Sequence, residues 1–181
     1  SIGSDGRIVE PPNLLPTYAN LVAALQALMD RSRSGDQILL QYTGHGARVL
    51  TAYPELKGAK GLDEALVPLD ITEPGGRYLR DVEIHYLLQA MVAKKLGVTV
   101  ILDCCHSGGV SRDIDRQART LPKADLRKRA HASDVAGREA LVRAWGSTRG
   151  IEAPASGWLE AEPNYTVLAA CRANEFAYEY S

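Results

Sequence analysis

The sequence predicts an α/β domain with a mainly parallel sheet covered by helices. Three apolar runs, at 37–42, 98–102 and 165–171, have the length and composition of buried strands. A segment with helical spacing of apolar residues precedes each of the first two runs, so the order is helix, strand, helix, strand. This alternation is typical of parallel sheets, whose buried strands are continuous apolar runs.

The first helix is expected to begin at Thr17, whose hydroxyl can cap it, and to end before Gly35. Its apolar stripe comprises Leu21, Leu25, Leu28 and Met29. Asp81 is expected to cap the second helix. The apolar stripe of that helix comprises Ile84, Leu87, Leu88 and Met91. Residues 1–16 include several prolines and give no strand signal, so they are interpreted as a connecting loop.

Composition indicates one ordinary soluble domain, with 181 residues, 45% hydrophobic residues and a net charge of −1. No apolar run approaches the roughly 18 residues that a membrane-spanning helix needs, and the first residues do not resemble a secretion signal. The balanced charge does not indicate nucleic-acid binding. Three cysteines, two of them adjacent, make a poor disulfide framework. A reactive thiol requires a reducing compartment, so we expect a cytoplasmic protein.

Two of the predicted strands end next to residues with catalytic chemistry. One strand runs into His45 and the other into Cys105. Parallel strands deliver such residues to one crevice beyond their carboxyl ends. A free thiol has a pKa of about 8.5, so it needs a neighbouring imidazole to act as a nucleophile at neutral pH. Gly44 and Gly46 permit tight turns beside the histidine, and the Gly46 N–H is a candidate donor to a developing oxyanion.

The adjacent thiol and the other histidines have simpler interpretations. Side chains alternate along a strand, so Cys104 is expected to point into the core, away from Cys105. His106 beside two thiols suggests a metal site, but no further ligands follow with zinc-site spacing. We expect Cys171 to be a core thiol, His85 to lie on a helix surface and His131 to lie in a solvated loop.

Three motifs resemble the successive signatures of the caspase-like cysteine peptidases, most closely those of metacaspases and their bacterial relatives, the orthocaspases. They are YTGHG at 42–46, DEALVPLD at 63–70 and DCCHSG at 103–108. The resemblance covers residues 17–180 and preserves the family's motif order. It implies a three-layer α/β/α sandwich, a catalytic dyad of His45 and Cys105, and an oxyanion hole formed by the N–H groups of Gly46 and Cys105.

The resemblance also implies that residues 1–181 form a single peptidase domain that is incomplete at both ends. The family's sheet begins with a strand that has no counterpart here, and it continues beyond the last residue. The implied partners are protein or peptide substrates, with neither nucleic acid nor membrane. A regulatory domain or a partner protein is compatible with the incomplete fold.

Asp103 lies two residues before Cys105, so the two side chains share a face if the strand continues. Its simplest role would be to cap nearby backbone N–H groups. In metacaspases the aspartate of this motif helps to bind a substrate Arg or Lys, which implies cleavage after a basic residue. A guanidinium entering a partly dehydrated pocket needs a carboxylate to offset its lost hydration. Thr43 is expected to line the same pocket, and Glu175 or Glu179 offers a further acid.

Many metacaspases use calcium, although the hydrolysis itself requires no cofactor. The resemblance gives calcium candidates at Asp63, Asp81 and Asp113. Arg80 occupies a position where an acidic side chain would help to bind calcium. Because Ca²⁺ prefers six to eight oxygen ligands, this basic residue weakens the case for calcium. The alternative is that Asp63 holds a loop.

Residues 112–149 carry ten Arg and Lys against five Asp and Glu, including the run Arg127–Arg129. This basic segment is expected to be a solvated loop or short helix, or else a cleavage linker or insertion. Caspase-like enzymes commonly carry such an insertion between their larger and smaller parts. Nucleic-acid binding is disfavoured because aromatic residues are not interleaved with the basic ones.

The sequence therefore predicts a caspase-like cysteine endopeptidase that cleaves after Arg or Lys and processes itself. Two other classes stay open. A catalytically silent caspase-like module would act by binding partners, since a fold does not guarantee activity. A metal-binding redox protein would use Cys104, Cys105 and His106, and bound metal would reveal it.

Overall fold

The computed structural model describes residues 9–104, 123–129, 132–147 and 165–169, together with the backbone of 116–118 and 178–180. A short 3₁₀ turn (Pro12–Leu14) is followed by α1 (Tyr18–Arg31), β1 (Gln37–Thr43), β2 (Gly46–Leu50), α2 (Pro54–Lys57), β3 (Leu62–Leu66), β4 (Leu79–Arg80), α3 (Asp81–Ala93), β5 (Gly97–Asp103), β6 (Arg116–Ala118), α4 (Arg138–Ser147), β7 (Tyr165–Ala169) and β8 (Tyr178–Tyr180). Within these ranges, no helix combines the length and the apolar character that crossing a membrane demands.

The predicted parallel sheet is present, with the strand order β1-β5-β7. Its strands coincide with the three apolar runs, although residues 170–171 of the third run lie outside the described residues. Alternate residues of β5 are buried, and Val98, Val100 and Leu102 enter one core. The predicted class, α/β with a mainly parallel sheet, is confirmed.

Helices α1 and α3 cover one face of this sheet. Tyr18 and Val22 of α1 join Leu88 and Met91 of α3 in the same core as the strand residues. On the opposite face of the sheet, Leu39 and Leu168 are 63% and 53% exposed. The second helical layer of the expected sandwich therefore does not lie among the described residues.

Local capping matches one helix prediction and corrects the other. Helix α1 begins after Thr17, whose Oγ1 accepts a hydrogen bond from the Asn20 N–H at 3.3 Å, as predicted. Asp81 as the cap of the second helix is wrong, because α3 starts at Asp81 and Arg80 precedes it. The Arg80 N–H donates to Glu83 Oε2 at 3.0 Å, so Glu83 supplies the capping contact instead.

The prediction that His85 lies on a helix surface is also wrong. His85 is 4% exposed, its ring meets Trp145 edge-on with the centroids 5.3 Å apart, and its Nε2 lies 3.3 Å from the Ala144 carbonyl oxygen. Helix α4 packs over α3 and covers this histidine. His131 and Cys171 lie outside the described residues.

A second, antiparallel sheet has the order β2-β3-β4, and the sequence did not reveal it. Its strand β2 begins at Gly46, directly after His45, and pairs with β3 so that Gly46 lies opposite Leu66. This sheet therefore fixes one side of the turn that carries His45. A further antiparallel pair joins β6 and β8.

Candidate functional site

The carboxyl ends of β1 and β5 lie side by side. In the parallel register Thr43 is opposite Asp103, and the Gly44 N–H donates to the Asp103 carbonyl oxygen at 3.4 Å. The next residues along the two strands are the His45 turn on one side and Cys104 on the other. The structure thus brings the two strand ends together at one edge of the sheet, the place where α/β proteins bind ligands.

The backbone of His45 is held from two sides. Its carbonyl oxygen accepts hydrogen bonds from the Val67 N–H at 3.0 Å and from the Tyr42 hydroxyl at 3.1 Å. Burial, with a smaller contribution from Cys104, raises the pKa of Tyr42, so its hydroxyl stays a neutral donor. The His45 residue itself is exposed. A fixed backbone with an exposed imidazole is an arrangement that can serve general acid–base chemistry.

Gly44 packs closely against the end of the Tyr42 side chain. A Cβ atom at Gly44 would lie 2.8 Å from the Tyr42 hydroxyl oxygen, which is closer than real Cβ contacts. Any larger residue would displace Tyr42 and, with it, one of the two donors that hold His45. Gly46 follows as the buried first residue of β2.

Asp103 and Thr43 occupy the same face of the sheet, because paired residues of neighbouring strands point to the same side. Thr43 is exposed and Asp103 is half-buried. Cys104 points the other way, is 2% exposed and belongs to the main core, which confirms its predicted packing role. The two residues predicted to bind substrate are therefore neighbours on the face away from that core.

The predicted nucleophile, Cys105, lies outside the described residues. So do His106, Asp113, Glu175 and the side chain of Glu179. The roles of His45, Cys105, Gly46, Asp103 and Thr43 stay predictions.

The two described calcium candidates are close to each other but carry cationic neighbours. Lys57 Nζ lies 3.1 Å from Asp63 Oδ1 and 2.5 Å from Asp81 Oδ2. Arg80 donates from an Nη atom to Asp63 Oδ2 at 2.6 Å. In the part of the chain that the structure describes, no three His, Cys, Asp or Glu residues are grouped to hold a metal ion. The residues present fit a network of ion pairs better than a calcium site.

Burial and neighbouring charges shift the pKa values of the acids around Lys57 in different directions. Burial tends to raise the pKa of Asp63, but Lys57, the Thr51 hydroxyl, the Ala52 N–H and Arg80 outweigh it and lower the pKa. Burial raises the pKa of Asp81 to about 6, although Lys57 acts in the opposite direction. Burial and the adjacent Asp81 raise the pKa of Glu64 to about 7. Asp63 is the most strongly stabilised as a carboxylate because two cations contact it.

Part of the basic segment is anchored to the domain. The Asp125 N–H donates to the Arg48 carbonyl, and the Asp125 carbonyl accepts from Leu50, both at 2.8 Å. The Asp125 carboxylate pairs with Arg127 at 2.8 Å and with Arg129 at 3.2 Å. Further along, α4 buries Leu141 completely. The described stretches of 112–149 thus include a packed helix and a basic run that is exposed at Arg127 and Lys128 and half-buried at Arg129.

Sequence reasoning assigned no role to Tyr42 or Lys57. Tyr42 stands next to the predicted substrate-binding Thr43, and strand alternation alone puts its ring on the core side. Lys57 follows no motif, and its partners in β3 and α3 are found only once the chain has folded. Strand alternation could therefore have placed Tyr42 beside the site, whereas nothing in the sequence indicates the contacts of Lys57.

Residues 5–113, more than half of the chain, match the sequence profile of the family described as "Metacaspase, peptidase C14 domain". Metacaspase III c of Phaeodactylum tricornutum is 33% identical over 97 residues, covering 52% of this chain and 27% of that protein. Metacaspase-9 of Arabidopsis thaliana is 37% identical over 110 residues, covering 59% of this chain and 30% of that protein.

Metacaspase-1B of Aspergillus fumigatus is 33% identical over 99 residues, covering 54% of this chain and 23% of that protein. The aligned part thus spans between a fifth and a third of these relatives. Among solved structures, protein GSU0716 from Geobacter sulfurreducens aligns with a TM-score of 0.51 and 20% identity, covering 89% of this chain and 55% of that chain. The latter similarity supports the α/β fold alone.

Proposed function

Because the chain belongs to the metacaspase family of peptidase C14 domains, we propose that it is a cysteine endopeptidase that cleaves proteins through Cys105 and His45. One observation carries the proposal: β1 and β5 are parallel neighbours whose ends meet at Thr43 and Asp103. His45 follows one end by two residues, and Cys105 follows the other by two. Nucleophilic catalysis by a thiol needs a neighbouring base, and the proposed thiol and base are Cys105 and His45.

The proposed reaction uses only groups of the chain and water. His45 accepts the thiol proton of Cys105, and the thiolate sulfur attacks the carbonyl carbon of the scissile peptide bond. The N–H groups of Gly46 and Cys105 stabilise the negative charge on the carbonyl oxygen. The C–N bond breaks as the imidazolium protonates the leaving amine. Water, deprotonated by His45, then hydrolyses the thioester and restores the thiol.

We further propose that the residue before the scissile bond is Arg or Lys. Asp103 is half-buried at the strand end and shares a face with Thr43. A carboxylate in such a setting pairs favourably with a substrate cation and repels a substrate carboxylate. Self-processing within the basic segment follows from the same preference. A reactive thiol needs reducing conditions, so the proposed location is the cytoplasm.

The test is to incubate the full chain with a peptide library and to read the cleavage sites by mass spectrometry. Cys105→Ala should abolish hydrolysis while circular dichroism and thermal unfolding show an intact fold. The matched control, Cys104→Ala, should keep most activity, because the Cys104 side chain is buried in the core. Labelling of Cys105 by an electrophilic inhibitor should depend on His45.

Two results would contradict the proposal. Equal loss of activity in both folded cysteine variants would mean that the nucleophile is assigned wrongly. A folded chain that cleaves nothing in the library would favour the alternative of a catalytically silent interaction module.

A further inference from the structure

The space between Asp63 and Asp81 is filled by a side chain of the same protein. The Lys57 ammonium lies 3.1 Å from one carboxylate and 2.5 Å from the other, and the lysine side chain is 12% exposed. Both aspartate side chains are at most 5% exposed. One ammonium thus bridges two buried carboxylates that lie on different elements, β3 and α3.

Every carboxylate oxygen of this pair already accepts hydrogen bonds. Asp63 Oδ1 accepts from Thr51 Oγ1 at 2.7 Å, and its Oδ2 accepts from the Ala52 N–H at 3.0 Å. Asp81 Oδ1 accepts from the Val82 N–H at 2.8 Å, and its Oδ2 accepts from the Glu64 N–H at 3.1 Å. The backbone donors are fixed by β3, α3 and the loop after β2, so they hold the two carboxylates in place around the ammonium.

Aromatic and cationic neighbours complete the surroundings of the ammonium. Lys57 Nζ lies 4.6 Å from the centre of the Trp145 ring, a distance at which a ring face attracts a cation. Arg80 contacts Asp63 at 2.6 Å and is 3% exposed. The two carboxylates are therefore balanced by two fixed positive charges.

We propose that Lys57 takes the place of a divalent cation at the Asp63–Asp81 pair, so that this pair does not bind calcium. Ca²⁺ takes six to eight oxygen ligands at about 2.3–2.6 Å, and it would have to displace the ammonium and lie close to the Arg80 guanidinium. Calcium binding at this pair can be measured without peptidase activity. Through its contact with Trp145, Lys57 also links α2 and the acidic pair to α4.

A consequence is that removal of the ammonium opens a latent cation position. Lys57→Ala would leave two carboxylates facing each other, with only Arg80 to neutralise them. The variant should lose stability because one buried charge becomes unpaired. Calcium should recover part of the loss, since the cation then enters the space that Nζ has left.

The experiment is thermal unfolding of the full chain with and without about 5 mM CaCl₂, roughly ten times the Kd of a weak calcium site. MgCl₂ and NaCl at equal ionic strength serve as controls. The melting temperature of the unsubstituted chain should change by less than about 1 °C, whereas that of Lys57→Ala should rise by about 3–6 °C with calcium. Lys60→Ala, on an exposed neighbouring lysine, is the matched control and should behave like the unsubstituted chain.

The double variant Lys57→Ala, Asp63→Asn should lose the calcium response, which locates the gained site. If Lys57→Ala does not fold, Lys57→Met retains most of the stem and allows the same comparison. The proposal is overturned if the unsubstituted chain gains several degrees with calcium and loses that gain in Asp81→Asn. It is also overturned if the folded Lys57 variants respond to calcium no more than the unsubstituted chain.

Discussion

At the scale of single residues, Tyr42 connects the core to the position of His45. Its ring packs against the main cluster, while its hydroxyl contacts the carbonyl oxygens of His45 and Val67 at 3.1 and 3.2 Å. The hydroxyl therefore holds the turn through backbone contacts. Tyr42 is a positioning residue for the proposed base.

Tyr42→Phe removes this donor and keeps the ring. We expect kcat to fall about 3- to 10-fold with KM nearly unchanged, because one hydrogen bond contributes about 0.5–1.5 kcal/mol. Tyr86→Phe, which removes a hydroxyl from the partly buried Tyr86 of α3, is the matched control and should change neither constant. Peptide hydrolysis kinetics measure both. A rise in KM with unchanged kcat would instead place Tyr42 in substrate binding.

Asp103→Asn tests the proposed pocket at the same scale. The unsubstituted chain should cleave after Arg or Lys far faster than after Asp, and the variant should lose roughly 10- to 100-fold of that preference, as expected for a charged hydrogen bond of about 1.5–3 kcal/mol. Competition between matched Arg and Asp peptides gives the ratio of kcat/KM directly.

The control for that substitution is Asp36→Asn, which removes the same charge at the opposite end of β1, where Asp36 is exposed. It should leave the preference unchanged. Faster cleavage after Asp by the unsubstituted chain would reject the basic specificity altogether.

At the scale of elements, Asp125 helps to hold the basic run next to the domain. Asp125 pairs with β2 through its backbone and with Arg127 and Arg129 through its carboxylate. The bonds from Arg127 lower the pKa of Asp125, despite the opposing effect of burial, so the acid is ionised at neutral pH. Arg127 or Arg129 must leave these contacts before it can enter an active site.

We predict self-cleavage within 127–129 in the active chain and none in Cys105→Ala. Tethering gives effective concentrations in the millimolar range, so even a poor site can be cut. Asp125→Asn should accelerate the cut, because it weakens the contacts that retain both arginines. Intact mass and N-terminal sequencing of new fragments follow the reaction. If the active chain and its Asp125→Asn variant both cleave external peptides but stay uncut, the run is a solvated loop.

The matched control for Asp125→Asn is Asp134→Asn, which lies beyond the proposed cut and pairs with Arg77 at 2.6 Å. It should not change the rate of cleavage. The two pieces should stay associated after cleavage, since α4 packs on α3 and β7 pairs with β5. Size-exclusion chromatography of the cut protein checks this association.

At the scale of the whole molecule, Glu83 joins segments that are far apart in the chain. Its Oε1 accepts from the Tyr18 hydroxyl at 2.5 Å and from the Ser133 hydroxyl at 2.7 Å. The Tyr18 hydroxyl also accepts from the Asp134 N–H at 3.1 Å. This network links α1, α3 and the segment before α4. Burial raises the pKa of Glu83, and these hydrogen bonds only partly oppose it.

The raised pKa predicts how stability changes with pH. The folded state binds a proton on Glu83 more tightly than the unfolded state does, so the contribution of Glu83 to the free energy of unfolding falls as pH rises above about 4.5. The decrease ends above the folded pKa. Glu83→Gln should flatten this part of the curve, and Glu139→Gln, on the exposed surface of α4, should not. Urea unfolding between pH 4.5 and 7 measures the slopes, and an unchanged slope in Glu83→Gln would contradict the assignment.

The sequence by itself determined the elements of the parallel sheet and the relation of the candidate site to them. Apolar runs and helical stripes located β1, β5, β7, α1 and α3 because burial imposes local periods on the chain. Thr17 could be predicted as a helix cap because the capping contact joins residues only three apart in the sequence. Strand ends beside His45 and Cys105 were predictable for the same local reason, and the three motifs indicated the family.

Only the tertiary structure decided which distant side chains meet. Lys57 bridges Asp63 and Asp81, the latter 24 residues away in the chain, and α4 covers His85 from 59 residues away. The tertiary structure also set the register that pairs Thr43 with Asp103. Such contacts depend on the packing of whole elements, whereas a periodic pattern records only which face of each element is buried. The Lys57 charge pairs and the burial of His85 are therefore fixed by long-range packing, which no local pattern encodes.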